Sequence, residues 1–210
     1  MITTLLADDH VLVRQGLRSL LENAGFEVVG EASDGHQAVA MAQQLRPEIA
    51  ILDLGMPVLN GVDAARQILT TVDSGIKVIL LTMYTDTSYV VAALSAGVHG
   101  YVLKTNAASN LIEAIHEVRK GNTYLSPGIS RLVIETSRAD DGPDAEPLSG
   151  RERQVLQLVA EGMSTKAIAE VLSISVKTAE SHRTRIMQKL DIHDTASLVL
   201  YAIRRGIIQP

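Results

Sequence analysis

Five short apolar runs recur along the first 120 residues, each followed by a stretch of helical periodicity. The runs are ITTLLA (2–7), FEVVGEA (26–32), IAILDL (49–54), KVILLT (77–82) and GYVL (100–103). Three are almost uninterrupted apolar stretches, the pattern of strands buried under helices on both faces of a parallel sheet. Between the runs, apolar residues return at helical spacing. Leu12, Leu17, Leu20 and Leu21 mark the first helix; Val39, Ala42 and Leu45 the second; Val62, Ala65 and Leu69 the third. Val90, Ala93 and Leu94 mark the fourth, and Leu111, Ile115 and Val118 the fifth. Five strand–helix repeats predict an α/β domain with a doubly wound, five-stranded parallel sheet, whose site belongs at the carboxyl ends of the strands.

From residue 148 the pattern is helical throughout. LSGRERQVLQLVAEG opens with Ser149 and Glu152 in capping-box spacing and stops at Gly162. Ser164 caps STKAIAEVL, the turn SIS follows, and Ser175 caps VKTAESHRTRIMQKL. A last helix starts at Asp194, runs through TASLVLYAIRR and ends at Gly206. Four short helices with a tight turn between the second and third predict an all-α helix-turn-helix unit.

Charge separates the same two parts. Residues 1–120 carry 8 Lys and Arg against 13 Asp and Glu, whereas residues 148–210 carry 9 against 6. An acidic front and a basic tail suggest modules with different partners. The stretch between them, 121–147, carries 2 basic against 5 acidic residues. Its RADDGPDAEP segment (138–147), rich in acids, proline and glycine, reads as an exposed linker. The chain has no cysteine, which excludes disulfides and thiolate metal sites. MITTLLADDH lacks a basic start and a long apolar stretch, and no run reaches membrane-spanning length, so a soluble cytoplasmic protein with no membrane partner is expected.

The polar residues at the strand ends are the candidate chemistry. Asp8 and Asp9 follow the first strand, Asp53 ends the third, Thr82 ends the fourth and Lys104 follows the fifth. Singly, each has a plainer reading: a strand-end Asp caps or turns, paired acids favour a helix start, and a lone lysine is a solvated charge. Together on one edge they make a cluster. Three carboxylates there repel one another, and one lysine compensates only part of that charge. A hard cation such as Mg²⁺ relieves the repulsion and leaves coordination positions open for water or phosphate.

The ordered motifs ADDH, LDLGMP..NG, LT and GYVLK resemble the receiver domain of a two-component response regulator, a flavodoxin-like fold. The resemblance covers about residues 1–120. It implies that Asp53 accepts a phosphoryl group from a sensor histidine kinase and that Asp8, Asp9, Asp53 and the backbone carbonyl of Gly55 hold Mg²⁺. It further implies that Thr82 and Lys104 bind the phosphoryl oxygens and that Tyr101 changes position on activation. A phosphatase of the haloacid dehalogenase type also uses a strand-end aspartate with Mg²⁺, but it wants a second acid two residues on, where this chain has Gly55. Beyond self-phosphorylation and autodephosphorylation no enzyme activity is expected. A constitutive DNA-binding protein with a vestigial receiver is the remaining alternative, and retention of all five polar groups argues against it.

The tail, 148–210, resembles the LuxR-type DNA-binding domain of NarL/FixJ regulators through LSGRERQVLQLVAEGMSTKAIAEVLSIS and HRTRIMQKL. That implies double-stranded promoter DNA as a partner, with RNA polymerase beyond it. Glu180, Ser181 and Thr184 would face bases, and Lys177, Arg183, Arg185 and Lys189 phosphates. The plainer alternative is a bundle with a solvated basic face. By the same resemblance the final helix is a dimer contact, giving a homodimer on DNA, and its pattern suggests that Leu198, Tyr201 and Ala202 are exposed; core packing accounts for them equally well.

Overall fold

The structure, a computed structural model, describes residues 1–71, 75–130 and 147–208. The chain divides into two compact units, Met1–Asp140 and Asp141–Pro210. Residues 138–146, nearly all of the RADDGPDAEP stretch read as a linker, lie outside the described residues.

The first unit runs β1 (Thr3–Ala7), α1 (Val11–Asn23), β2 (Glu27–Ala32), α2 (Gly35–Leu45), β3 (Ile49–Asp53), α3 (Gly61–Thr71) and β4 (Lys77–Thr82). It continues through α4 (Thr87–Ser95), β5 (Gly100–Leu103), a 3₁₀ turn (Lys104–Asn106), α5 (Ala107–Arg119) and β6 (Tyr124–Leu125). The sheet order is β2-β1-β3-β4-β5-β6, and every pairing is parallel. Strand order reverses at β1, and in open α/β sheets ligands bind beyond the carboxyl ends of the strands that flank such a reversal, here β1 and β3.

Alternation along the strands builds two apolar layers. Leu5, Ala7, Ala50, Leu52, Val78 and Leu80 meet α2, α3 and α4 on one face. Leu6, Ile49, Ile51, Ile79 and Leu81 meet α1 and α5 on the other. This period-two sorting is why the strand sequences read as continuous apolar runs. Leu12 and Leu45 depart from the expected helix faces, because both side chains are exposed.

The sheet has a sixth strand that the apolar pattern does not announce, since two residues are too few to show alternation. Tyr124 and Leu125 pair with Gly100 and Tyr101, and Ile129 is buried in the core. Residues 124–130 therefore pack with the first unit.

Between β3 and α3, Val58 holds φ +67°, a left-handed conformation in which a β-branched side chain crowds its own backbone. Val58→Asn is expected to stabilise this unit by about 1 kcal/mol, read as a higher urea midpoint at unchanged slope. An equal or lower midpoint would mean that contacts made by the Val58 side chain outweigh the backbone cost.

The second unit comprises α6 (Gly150–Ala160), α7 (Thr165–Val171), α8 (Val176–Leu190) and α9 (Thr195–Arg204). All four caps stand where the sequence puts them. Ser149 and Glu152 form the reciprocal capping box, and Ser164, Ser175 and Asp194 accept from Ala167, Thr178 and Ser197 backbone N–H groups. The core joins Val155, Leu158, Ile168, Ala179, Ile186 and Leu198, all buried. Leu198 and Ala202 are 1% and 0% exposed, so they are core residues rather than a free face. The apolar side chain that α9 does expose is Leu200, at 53%. Among the described residues no helix is long and apolar enough to cross a membrane.

Candidate functional site

Strand register brings the candidate groups together. Ala7 pairs with Leu52, so Asp8 and Asp53 emerge side by side from β1 and β3. Asp53 pairs with Leu81 and Thr82 with Leu103, which sets Thr82 and Lys104 one step further round the same edge. Lys104 Nζ lies 2.7 Å from Asp8 Oδ2 and 2.9 Å from Asp53 Oδ1. Asp8, Asp53 and Thr82 are buried, and Asp9 is half-buried.

The electrostatics are unbalanced. Burial raises the Asp53 pKa above the usual carboxylate value; Lys104 offsets part of that rise, and Asp8 and Asp9 add to it. Burial pushes Lys104 down, but attraction and hydrogen bonds from Asp53 and Asp8 outweigh it, and its pKa is raised. One ammonium thus serves two carboxylates, with a third, Asp9, close by. Oxygen donors at this density suit a hard divalent cation. Gly55, half-buried in the loop after β3, carries no side chain that would block access from solvent.

Thr82 and Tyr101 are tied to one segment. Thr82 Oγ1 accepts from the Tyr84 N–H at 3.0 Å. The buried Tyr101 hydroxyl donates to the Tyr84 carbonyl at 3.4 Å. The Tyr84 and Tyr89 rings lie 5.6 Å apart. Any displacement of Thr82 toward Asp53 therefore pulls on the segment that holds Tyr101.

Several contributors escaped the sequence reading. Arg14 donates to the Asp8 carbonyl at 2.6 Å and pairs with Glu31 at 3.2 Å, anchoring the acidic turn to β2. The available signal was a cation near the start of α1, where the helix dipole disfavours one and where no acid stands. His10 Nδ1 lies 2.8 Å from Asp9 Oδ1. Donor atoms of Asp8, Asp9, His10 and Asp53 all fall within 4.8 Å of one another. Asn60 and Gly61 start a helix: Asn60 Oδ1 accepts from the Asp63 N–H at 2.8 Å. A Cβ at Gly61 would stand 2.2 Å from the Asp53 carbonyl oxygen, so this glycine is there for close approach.

In the second unit, Lys177, Glu180, Ser181, Thr184 and Arg185 are exposed along α8. Arg183 is half-buried, reaching Thr165 and Thr195 hydroxyls at 3.4 and 3.2 Å, and the Thr184 hydroxyl donates to the Glu180 carbonyl. Lys189, expected toward phosphates, has its ammonium at Glu152 Oε2, 2.7 Å away. Burial pushes Glu152 up, but Lys189 and the Ser149 hydrogen bonds outweigh it and bring its pKa down to about 2. A carboxyl lowered on folding contributes stability above its ordinary pKa and loses it as pH falls towards the folded value. The helical unit is therefore expected to weaken between pH 4.5 and about 2. Glu152→Gln should flatten that acid slope and cost about 1–2 kcal/mol at neutral pH. Amide hydrogen exchange in α6 and α8 measures both, and an unchanged slope would remove the pair from the stability account.

Comparison with known proteins places this geometry among relatives. Residues 4–116 match the model of the response regulator receiver domain, and residues 146–202 match that of the bacterial regulatory proteins of the luxR family. The chain is 37% identical to the transcriptional regulatory protein LiaR of Bacillus subtilis, over 99% of this chain and 100% of that one. It is 36% identical to the response regulator protein VraR of Staphylococcus aureus, over 99% of each. A solved structure of RcsB from Salmonella enterica serovar Typhimurium, bound to a promoter in the presence of the phosphomimetic BeF₃⁻, is 30% identical with a TM-score of 0.62. It covers 95% of this chain and 97% of that one.

Proposed function

The chain belongs to the NarL/FixJ family of two-component response regulators, DNA-binding proteins with a receiver and a LuxR-type helix-turn-helix domain, and on that premise we propose how its own residues work. The receiver's phosphoacceptor is Asp53, and the donor is a phosphohistidine on a sensor histidine kinase. A carboxylate oxygen of Asp53 attacks phosphorus; the new O–P bond replaces the N–P bond, and the departing imidazole takes a proton from solvent. Such a transfer needs alignment and charge neutralisation more than covalent help. Asp8, Asp9, Asp53 and the Gly55 carbonyl are the groups that hold Mg²⁺, which when bound neutralises the carboxylates and the phosphoryl oxygens. Lys104 orients Asp53 before transfer and pairs with a phosphoryl oxygen afterwards. The new group brings about −1.5 to −2 charges and three acceptors. Thr82 exchanges its bond from the Tyr84 N–H for one to a phosphoryl oxygen, and Tyr101 moves with that segment.

The observation that carries this reading is Lys104 held between Asp8 and Asp53 at the strand ends. Its test is incubation with acetyl phosphate and Mg²⁺, following mass, oligomer size and DNA affinity, with Asp53→Ala as control. A single phosphoryl adduct lost in the control supports the assignment. No adduct, or one that survives in the control, overturns it.

On DNA, α8 enters the major groove, with Glu180, Ser181 and Thr184 toward base edges and Lys177, Arg183 and Arg185 toward phosphates. A homodimer places two such helices on successive half-sites, RNA polymerase is the further partner, and the protein acts in the cytoplasm. The domain division proposed is a receiver extending to residue 130, a linker to 147 and the DNA-binding domain from 148. Glu180→Ala is expected to relax preference at one base pair by about 1–3 kcal/mol. Arg183→Ala should weaken every site alike and lower the salt slope by about one unit. Binding titrations on a panel of single-base variants at several salt concentrations separate the two; identical effects on every sequence would undo the sorting.

A further inference from the structure

Beside the three carboxylates stands a nitrogen donor for which the proposed Mg²⁺ chemistry has no use. His10 caps α1 with extended backbone, φ −87° and ψ 108°, yet its side chain makes no capping bond. A helix start favours Ser, Thr, Asp or Asn, which satisfy a free N–H group there. His10 gives up that role, and its ring turns toward the acids. Its backbone N–H is fixed to Asp8 Oδ1 at 2.9 Å. Its Nδ1 lies 2.8 Å from Asp9 Oδ1 and 3.5 Å from Asp8 Oδ1.

At 2.8 Å the His10–Asp9 contact is a hydrogen bond, and it holds the ring nitrogen at a distance from the acids that ligands of one ion would also keep. Donors at about 2.1 Å in an octahedral shell stand about 3 Å apart when adjacent and about 4.2 Å when opposite. The donor atoms of Asp8, Asp9, His10 and Asp53 lie within 4.8 Å of one another, so small shifts bring all four onto a common centre. Oxygen donors alone serve Mg²⁺, whereas an imidazole nitrogen binds Mg²⁺ poorly and first-row divalent cations better, Mn²⁺ least among them and Co²⁺ more. At 68% exposure, the His10 side chain is free to make that adjustment without disturbing the core.

We propose that His10 is a specificity-determining ligand: it supplies one nitrogen donor to the acidic site and shifts its selectivity from Mg²⁺ toward Mn²⁺ and Co²⁺. This rests on the acidic site being the receiver's metal site, and the test separates the two claims. The full-length protein, His10→Ala and His10→Asn are titrated with Mg²⁺ and Mn²⁺ by calorimetry, and Co²⁺ binding is followed by visible absorption. In His10→Ala the Mn²⁺ affinity should fall by about tenfold or more, while the Mg²⁺ affinity changes by no more than about twofold. The Co²⁺ bands of the wild type should change in both variants, because Asn cannot restore the nitrogen.

Equal loss of Mg²⁺ and Mn²⁺ affinity in His10→Ala would overturn the proposal, since His10 would then act only by holding Asp9. An unchanged Mn²⁺ to Mg²⁺ ratio with unchanged Co²⁺ bands would do the same. Failure of the wild type to bind any of the three cations would instead bring down the acidic-site reading itself, and the proposal with it.

Discussion

Lys104→Met is expected to leave the metal-free receiver unit about 3 kcal/mol less stable at neutral pH. Its ammonium stands against buried Asp8 and Asp53, with side chains 0% and 8% exposed, and removing one partner of a buried pair strands the other charge. In the wild type, Lys104 is raised by its partners, so its contribution is complete below pH 10.5 and is lost as pH climbs through the raised value. The variant lacks that alkaline transition. Its deficit should shrink on acidification, because Asp53 already sits above the ordinary carboxylate range and its protonation removes the stranded charge. Mg²⁺ should reverse the loss as well, binding more tightly than in the wild type because no ammonium competes for the same oxygens. Urea unfolding with and without Mg²⁺ across pH measures all three effects. A variant as stable as the wild type without metal would show that Lys104 is solvated.

Gly61→Ala should cost the receiver unit about 3 kcal/mol and abolish phosphoryl uptake. The added methyl would stand 2.2 Å from the Asp53 carbonyl oxygen and 2.9 Å from the Leu54 Cα, both backbone. The Gly61 N–H also donates to the Leu54 carbonyl, so the start of α3 is clamped onto the end of β3. Relief requires the strand end to move, and Asp53 moves with it. Gly16 supplies the control within the same chain. It lies inside α1 with nothing within 4 Å of an added Cβ, and Gly16→Ala should stabilise by about 0.5–1 kcal/mol. Chemical denaturation and acetyl phosphate labelling of both variants test the contrast. Equal behaviour would refute the close-approach role of Gly61.

What the sequence disclosed follows from the range of its signals. Strands β1 to β5 and the four caps of the second unit are short-range patterns, and each reads from a handful of consecutive residues. The convergence of Asp8, Asp53, Thr82 and Lys104 was legible because a parallel sheet places all strand ends on one edge. The missed features depend on pairs distant along the chain. Arg14 matters through Glu31, Lys189 through Glu152, and Gly61 through the carbonyl of Asp53; of these only Arg14 leaves a local trace, as a cation at a helix start. At Leu198 and Ala202 the sequence alone leaves two readings open. Helical periodicity marks an apolar face without saying whether the bundle itself covers it, and here the bundle does.

The tyrosine arrangement has a practical consequence. The chain contains 5 tyrosines and no tryptophan, so its ultraviolet emission comes from phenol rings alone. Tyr84, Tyr89 and Tyr101 sit together beside Thr82, with Tyr101 tethered through its hydroxyl to the Tyr84 backbone. On the proposed mechanism that tether rearranges on phosphorylation, which would alter quenching at Tyr101 and give unlabelled protein an optical readout of the change.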